Sequence, residues 1–313
     1  MTGPMHDDEI PVARPLVRAL VDASFPDLAT LPLRPLESTG SSNVQFRLGH
    51  DLVVRLPRQP GGSGTIDKEA RWLPVVGAAL PVSVPEVVAV GEPALGYGER
   101  WSIVRWLPGV HPPAVEPSAP GDPRRRLLAE DLAAVVLALK RAPVPGDARS
   151  DPDLRWYRGE PVVALAEATF AAVERCRRIP GLGLDLDAVT DVWTEMVATP
   201  AVEHAQDPRL LHGDLVAENL LLTDGRLSAV LDFGGLSIGD PTVDLVAAWE
   251  VLDRPARETF RRLVDVDDPT WEQARAWALA LGMMTFPYYW DTMPARCANR
   301  LAMVRSVLAD AAR

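Results

Sequence analysis

The chain has 313 residues, of which 47% are hydrophobic and 24% charged, and its formal net charge is −11. That composition describes a globular protein with a sizeable core, and the length exceeds the usual single domain, so two domains are expected. The acidic balance argues against a nucleic-acid or anionic-membrane partner, and no apolar run approaches the ~18 residues a membrane span needs. Two cysteines, Cys176 and Cys297, form neither a disulfide scaffold nor a zinc ribbon, which fits a reducing cytoplasm. The first residues are acidic and lack an apolar stretch, so no ordinary secretory signal is expected there.

In chain order, residues 11–24 read as a short amphipathic helix ending near Pro26. From Leu33 the apolar period becomes two. Residues 43–48 and 52–56 alternate about Gly49-His50-Asp51, which is a hairpin, with residues 37–43 leading into it. Residues 59–65 read as a Gly-rich loop, 66–76 as a helix despite Pro74, and 84–90 and 101–107 as two further strands. A Pro-rich connection opens at Pro108-Gly109, and helical periodicity follows. Leu128, Leu132, Val135, Val136 and Leu139 share one face, as do Val162, Leu165, Thr169, Val173 and Cys176. Residues 220–222 and 227–231 form a second hairpin about Asp224-Gly225, and helices resume from Pro241. The expected layout is α+β: a small β-rich N-lobe over 1–107 and a larger, mainly helical C-lobe over 108–313, the bilobal architecture of a protein-kinase-like fold.

The chemistry concentrates in His212-Gly213-Asp214-Leu215-Val216-Ala217-Glu218-Asn219, followed by an apolar strand, and in Val230-Leu231-Asp232-Phe233-Gly234. Phosphoryl transfer from a nucleotide needs a group that orients or deprotonates the acceptor hydroxyl, together with oxygen ligands for Mg²⁺ on the phosphates. Asp214 lies in a loop before a buried strand. Asn219 stands where the chain enters that strand, and Asp232 stands at the end of the next. Carboxylates at the ends of apolar strands are costly unless paired or metal-bound.

His-Gly-Asp-Leu-x-x-x-Asn with Asp-Phe-Gly, then Gly239-Asp240-Pro241-Thr242-Val243-Asp244-Leu245, resembles the aminoglycoside phosphotransferase family, relatives of the protein kinases, from about Ser38 to Trp249. The resemblance implies Asp214 as the catalytic base, Asn219 and Asp232 as Mg²⁺ ligands, and His212 as a brace for the loop. Asp240 and Asp244 would be structural, Asp240 as an N-cap before Pro241. It also implies that Arg55 on the third strand and Glu69 on the following helix hold the α- and β-phosphates, with arginine in place of the usual lysine. The other reading of Arg55 is a side chain turned to solvent. Lys68 is the alternative cation, though beside Glu69 on a helix it is expected to point elsewhere. Gly40, Ser41, Ser42 and Asn43 occupy the turn expected over the phosphates, and the stretch containing Val104 and Trp106 the edge expected beside adenine.

The expected activity is transfer of the γ-phosphate of ATP or GTP to a hydroxyl of a small molecule, an aminoglycoside or a related antibiotic. A macrolide or other metabolite kinase, a nucleotide-binding pseudokinase and a metal-dependent phosphohydrolase remain alternatives. Expected partners are a nucleoside triphosphate and a small acceptor, with no nucleic acid and no membrane, and the chain is expected as a monomer or homodimer. Trp249, Trp271, Trp277, Tyr288, Tyr289 and Trp290 mix with Glu250, Asp253 and Asp291 in the C-terminal helices. Tyr289 and Asp291, near a helix expected to break at Pro287, are the candidate acceptor contacts.

Overall fold

The computed structural model describes residues 5–36, 40–117, 121–198 and 208–311. Residues 37–39 of the segment leading into the first hairpin lie outside them. The chain divides into two compact units. The first comprises residues 1–78, 83–108 and 231–234. Its sheet has the order β1-β2-β3-β5-β4, built from β1 (Leu33–Pro35), β2 (Asn43–Leu48), β3 (Leu52–Pro57), β4 (Val87–Gly91) and β5 (Trp101–Arg105), and every pairing is antiparallel. The β2–β3 turn closes at Gly49, whose φ of +63° is a conformation glycine adopts without strain.

Helix α1 (Arg14–Ser24) places Val17, Leu20 and Val21 on one buried face, the i, i+3, i+4 spacing of an amphipathic helix. They join Phe46, Leu48, Val54, Leu56, Tyr97, Trp101 and Ile103 in one apolar cluster. A Cβ on Gly91 would lie 2.1 Å from the Trp101 ring, so the ring packs there only against a bare backbone. Alternation along β3 sends Val54 and Leu56 into this cluster and Arg55 to the other face.

Helix α2 (Ser63–Gly77) starts earlier than the Gly-rich sequence suggests. No residue at its own N-terminus caps it. Glu99 does so from a distance, accepting from the N–H of Gly61 (2.9 Å), the N–H of Ser63 (2.8 Å) and the Ser63 hydroxyl (2.6 Å).

The second unit comprises residues 79–82, 109–230 and 235–313. It contains α3 (Pro123–Arg141), α4 (Ala166–Cys176), α5 (Leu186–Ala198), α6 (Ala247–Val251), α7 (Arg254–Val264), α8 (Asp268–Tyr289) and α9 (Pro294–Ala311). Two short antiparallel ladders accompany them. One pairs β6 (Arg209–Leu211) with β9 (Ser237–Gly239), the other β7 (Leu220–Thr223) with β8 (Arg226–Val230). Asp224 and Gly225 both take positive φ (+51° and +77°), the conformation a two-residue hairpin turn demands.

Helix α8 is buried on nearly every side from Ala276 to Met283, and that stretch of its sequence is apolar all round. It does not break at Pro287, as its sequence suggests, but continues to Tyr289. Proline at 287 withholds the N–H that would serve the carbonyl of Met283. The Cys176 thiol on α4 takes that carbonyl instead, at 3.6 Å. Both cysteines are buried and unbridged, and burial pushes their thiols up to about 12 (Cys176) and about 11 (Cys297).

Candidate active site

In the first unit, Arg55 is 5% exposed and its Nη1 donates to Glu69 Oε2 at 2.7 Å, with Nη2 to Oε1 at 3.4 Å. The solvent-facing reading of Arg55 is thereby overturned. Its place on the central strand, opposite the apolar cluster, leaves it facing α2 rather than water. Burial would lower its affinity for a proton, but the charges of Glu69 and Asp232 more than offset this and raise it. Replacing Arg55 by alanine should strand the buried Glu69 carboxylate at a cost of about 3–5 kcal/mol, while lysine should retain part of that loss. Thermal unfolding of the two variants checks this.

Lys68 has a partner other than the Glu69 carboxylate that Arg55 holds. It is buried and its Nζ donates to the carbonyl of Gly234 at 2.6 Å, tying α2 to the Asp232-Phe233-Gly234 segment. Asp232 has φ +55° and accepts from the Gly234 N–H at 3.2 Å. Ser41 and Ser42 are held through their carbonyls, Ser41 by His6 Nε2 (2.9 Å) and Ser42 by the Arg58 N–H (2.9 Å). Asn43 is buried at the start of β2. Val104 is buried in β5, paired with Val53 and Val87. Trp106 is exposed, with the Arg47 guanidinium 3.9 Å over its ring. The N–H groups of Arg105 and Trp106 already donate to the carbonyls of Glu86 and Asp51.

In the second unit, the loop after β6 carries Asp214. Gly213 has φ +81°, and a Cβ there would lie 2.6 Å from the carbonyl oxygen of Gly235, so the sharp turn before Asp214 requires glycine. Asp244 grips this turn, accepting from the N–H of His212 and of Gly213, each at 2.7 Å. Burial nevertheless pushes the Asp244 carboxyl up, against the pull of these two amides. His212 is fully buried and its Nδ1 accepts from the Asp214 N–H at 3.1 Å, the geometry of a brace. Asp240 caps the following 3₁₀ turn through the Thr242 N–H at 2.9 Å.

Each Asp214 oxygen has a donor. Arg158 Nη1 reaches Oδ1 at 3.1 Å, and Asn219 Nδ2 reaches Oδ2 at 3.0 Å and the Asp214 carbonyl at 2.9 Å. Burial alone would raise this carboxyl, but the charges of Arg158 and, further off, Arg300 and Arg296 hold it below the ordinary aspartate range. The carboxylate is therefore ionised and fixed in direction. Asn219 commits its side-chain Nδ2 to Asp214 twice, which leaves its carbonyl oxygen as a neutral donor of the kind Mg²⁺ accepts.

Beneath the loop, Glu218 and Glu250 flank Arg300. Arg300 Nη2 meets Glu218 at 2.8 Å, Nη1 pairs with Glu250, and Arg296 meets Glu218 at 3.0 Å. Glu250 also accepts from the Ala217 N–H at 2.7 Å, so the pair anchors the turn that ends at Asn219.

Of the acidic and aromatic candidates for the acceptor, most have other roles. Glu250 belongs to this network and Asp253 caps α7 through the Ala256 N–H at 3.0 Å. Trp249, Trp271 and Trp277 are core. Asp291 is exposed, and Tyr289 is half-buried with the Arg296 guanidinium 5.1 Å from its ring. Arg158, Arg296, Arg300 and Glu218 were not legible as site residues, because each lies far from its partner in sequence or in a segment without a motif.

A braced carboxylate beside a carboxamide, with a buried arginine–glutamate pair between the sheet and helix of the first unit, defines a phosphotransferase of the kinase-like α+β kind. The phosphotransferase enzyme family model matches residues 33–277, and the chain belongs to that family. It is 26% identical over 223 residues to an aminoglycoside 3'-phosphotransferase of Escherichia coli, covering 69% of this chain and 74% of the relative. The fold is similar to that of the GDP complex of wild-type aminoglycoside 2'-phosphotransferase-IIIa, with a TM-score of 0.65, 22% identity, and coverage of 96% of this chain and 100% of the other. It is also similar to macrolide 2'-phosphotransferase type I, with a TM-score of 0.63, 18% identity, and coverage of 93% and 97%.

Proposed function

We propose that the protein transfers the γ-phosphoryl group of ATP or GTP to a hydroxyl of a small molecule, an aminoglycoside, a macrolide or a related antibiotic. The observation that carries this reading is the Asp214 carboxylate, ionised and held on both oxygens. An acceptor hydroxyl meeting it would donate its hydrogen bond to Asp214 and turn its oxygen lone pair toward the phosphorus. Arg55, fixed by Glu69, contributes positive charge for the non-transferred phosphates, and the Ser41–Ser42 turn contributes backbone donors.

Asn219 and Asp232 are the residues that would bind Mg²⁺. Their donor set fits: one neutral and one anionic oxygen, both hard ligands, suit an ion that completes its shell with phosphate and water. When bound, that ion neutralises charge on the phosphates. Among the described residues, no group of three or more His, Cys, Asp or Glu side chains is placed to hold a metal. A self-contained metal site of the kind a phosphohydrolase uses is therefore not built among them. The relative named for an aminoglycoside and the similar structure named for a macrolide support an antibiotic acceptor, and a role in resistance within the cytoplasm is part of the same proposal. The test is a panel of aminoglycosides, macrolides and simple polyols, assayed with ATP and with GTP for acceptor-stimulated release of nucleoside diphosphate. Stimulation by at least one antibiotic supports the reading. Diphosphate release that no acceptor alters would oppose it.

A further inference from the structure

Arg158 lies on a 3₁₀ turn (Tyr157–Gly159) more than fifty residues before the loop it touches, in a stretch with no motif. Three hydrogen bonds fix its guanidinium. Nη1 donates to Asp214 Oδ1 at 3.1 Å and to the Gly213 carbonyl at 3.0 Å, and Nε donates to the Tyr157 hydroxyl at 2.8 Å. Its plane lies near the Trp156 and Tyr157 rings, with the guanidinium carbon 5.0 Å and 5.3 Å from their centroids.

The turn is seated by glycines on the catalytic side. The Asp240 N–H donates to the Gly159 carbonyl at 2.8 Å, and a Cβ on Gly239 would lie 2.4 Å from that same carbonyl oxygen. A Cβ on Gly235 would lie 2.7 Å from the Trp156 ring. Side chains at 235 and 239 would therefore push the turn away, and with it Arg158. Only 13% of the Arg158 side chain is exposed, so the contact is built rather than a surface ion pair.

We propose that Arg158 is a positioning residue for the reaction, one that sets the rotation of the Asp214 carboxylate. An ionised carboxylate offers about four lone-pair directions. Arg158 occupies one on Oδ1 and Asn219 one on Oδ2, so the plane is fixed and a defined direction on each oxygen remains for the acceptor hydroxyl. A carboxylate held only by Asn219 would swing about its Cβ–Cγ bond. This inference rests on the reading of Asp214 as the group that meets the acceptor.

The test compares Arg158→Ala, Arg158→Lys and Tyr157→Phe with the parent enzyme, each also in the Asp214→Ala background, with kcat, both KM values and thermal midpoint measured. Arg158→Ala should lower kcat by roughly 10–100-fold, the size of a small misplacement of a catalytic group, with nucleotide KM little changed and any fall in thermal midpoint shared by Arg158→Ala in the Asp214→Ala background. Lysine should recover part of the loss. Tyr157→Phe, at an exposed position, should lower kcat in the same direction by a smaller factor. In the Asp214→Ala background the Arg158→Ala loss should vanish, because the residue acts through that carboxylate. An undiminished loss in that background, or parental kcat in Arg158→Ala when Asp214→Ala is crippled, overturns the inference alone. Parental turnover in Asp214→Ala itself overturns the reading of the site and the inference with it.

Discussion

Asp214→Ala is expected to lower kcat by roughly 10²–10⁴-fold, the range in which a positioned acid–base group contributes. Binding of the nucleotide should survive, because neighbouring groups keep partners that the substitution does not touch. Asn219 Nδ2 retains the carbonyl of residue 214 at 2.9 Å, and Arg158 retains the Gly213 carbonyl and the Tyr157 hydroxyl. The loop itself is held from below by Asp244 through the backbone of His212 and Gly213, independently of the 214 side chain. The loss should therefore fall on kcat, with nucleotide KM and the unfolding midpoint near parental values. Steady-state kinetics beside a melting curve separate these quantities.

Arg300→Ala should lower stability by about 3–5 kcal/mol, the size of breaking a buried ion pair from one side. The substitution removes the cation between Glu218 and Glu250, and Glu250 is wholly buried. Arg296 remains on Glu218, so the uncompensated charge is that of Glu250. Burial already pushes the Glu250 carboxyl up, with Glu218 adding to the shift and Arg300 opposing it. A carboxyl whose folded-state pKa is raised destabilises the fold as pH climbs through that value, and the penalty is absent below its unfolded value. The deficit of Arg300→Ala should accordingly shrink in acid and grow toward neutral pH. Urea unfolding at several pH values measures it. A deficit that does not vary with pH would remove Glu250 from the explanation.

What was legible in the sequence was local. Asp224-Gly225 announces its hairpin because only residues tolerant of positive φ fit a two-residue turn. The apolar face of α3 is written in its spacing, and Leu128, Leu132, Val135, Val136 and Leu139 are all buried. The order of His212, Gly213, Asp214 and Asn219 marks the loop because these residues meet within a few positions of one another. The parts that escaped depend on partners distant in sequence. Glu99 caps α2 across more than thirty residues, so the helix begins inside a stretch that reads as loop. The Cys176 thiol rescues the carbonyl stranded by Pro287 across more than a hundred, so a helix continues where its sequence breaks. Lys68 finds its acceptor in the Gly234 carbonyl, more than a hundred and sixty residues along the chain, which no local pattern announces. The guanidiniums around Asp214 come from residues 158, 296 and 300, and no local pattern marks them.

The direct measurement is mass spectrometry of an antibiotic acceptor after incubation with Mg²⁺ and nucleoside triphosphate, for the parent protein and for Asp214→Ala. The parent should yield a monophosphorylated acceptor in step with nucleoside diphosphate release, and Asp214→Ala should yield almost none. An unmodified acceptor accompanied by free phosphate, or equal product from both proteins, would contradict phosphoryl transfer steered by Asp214.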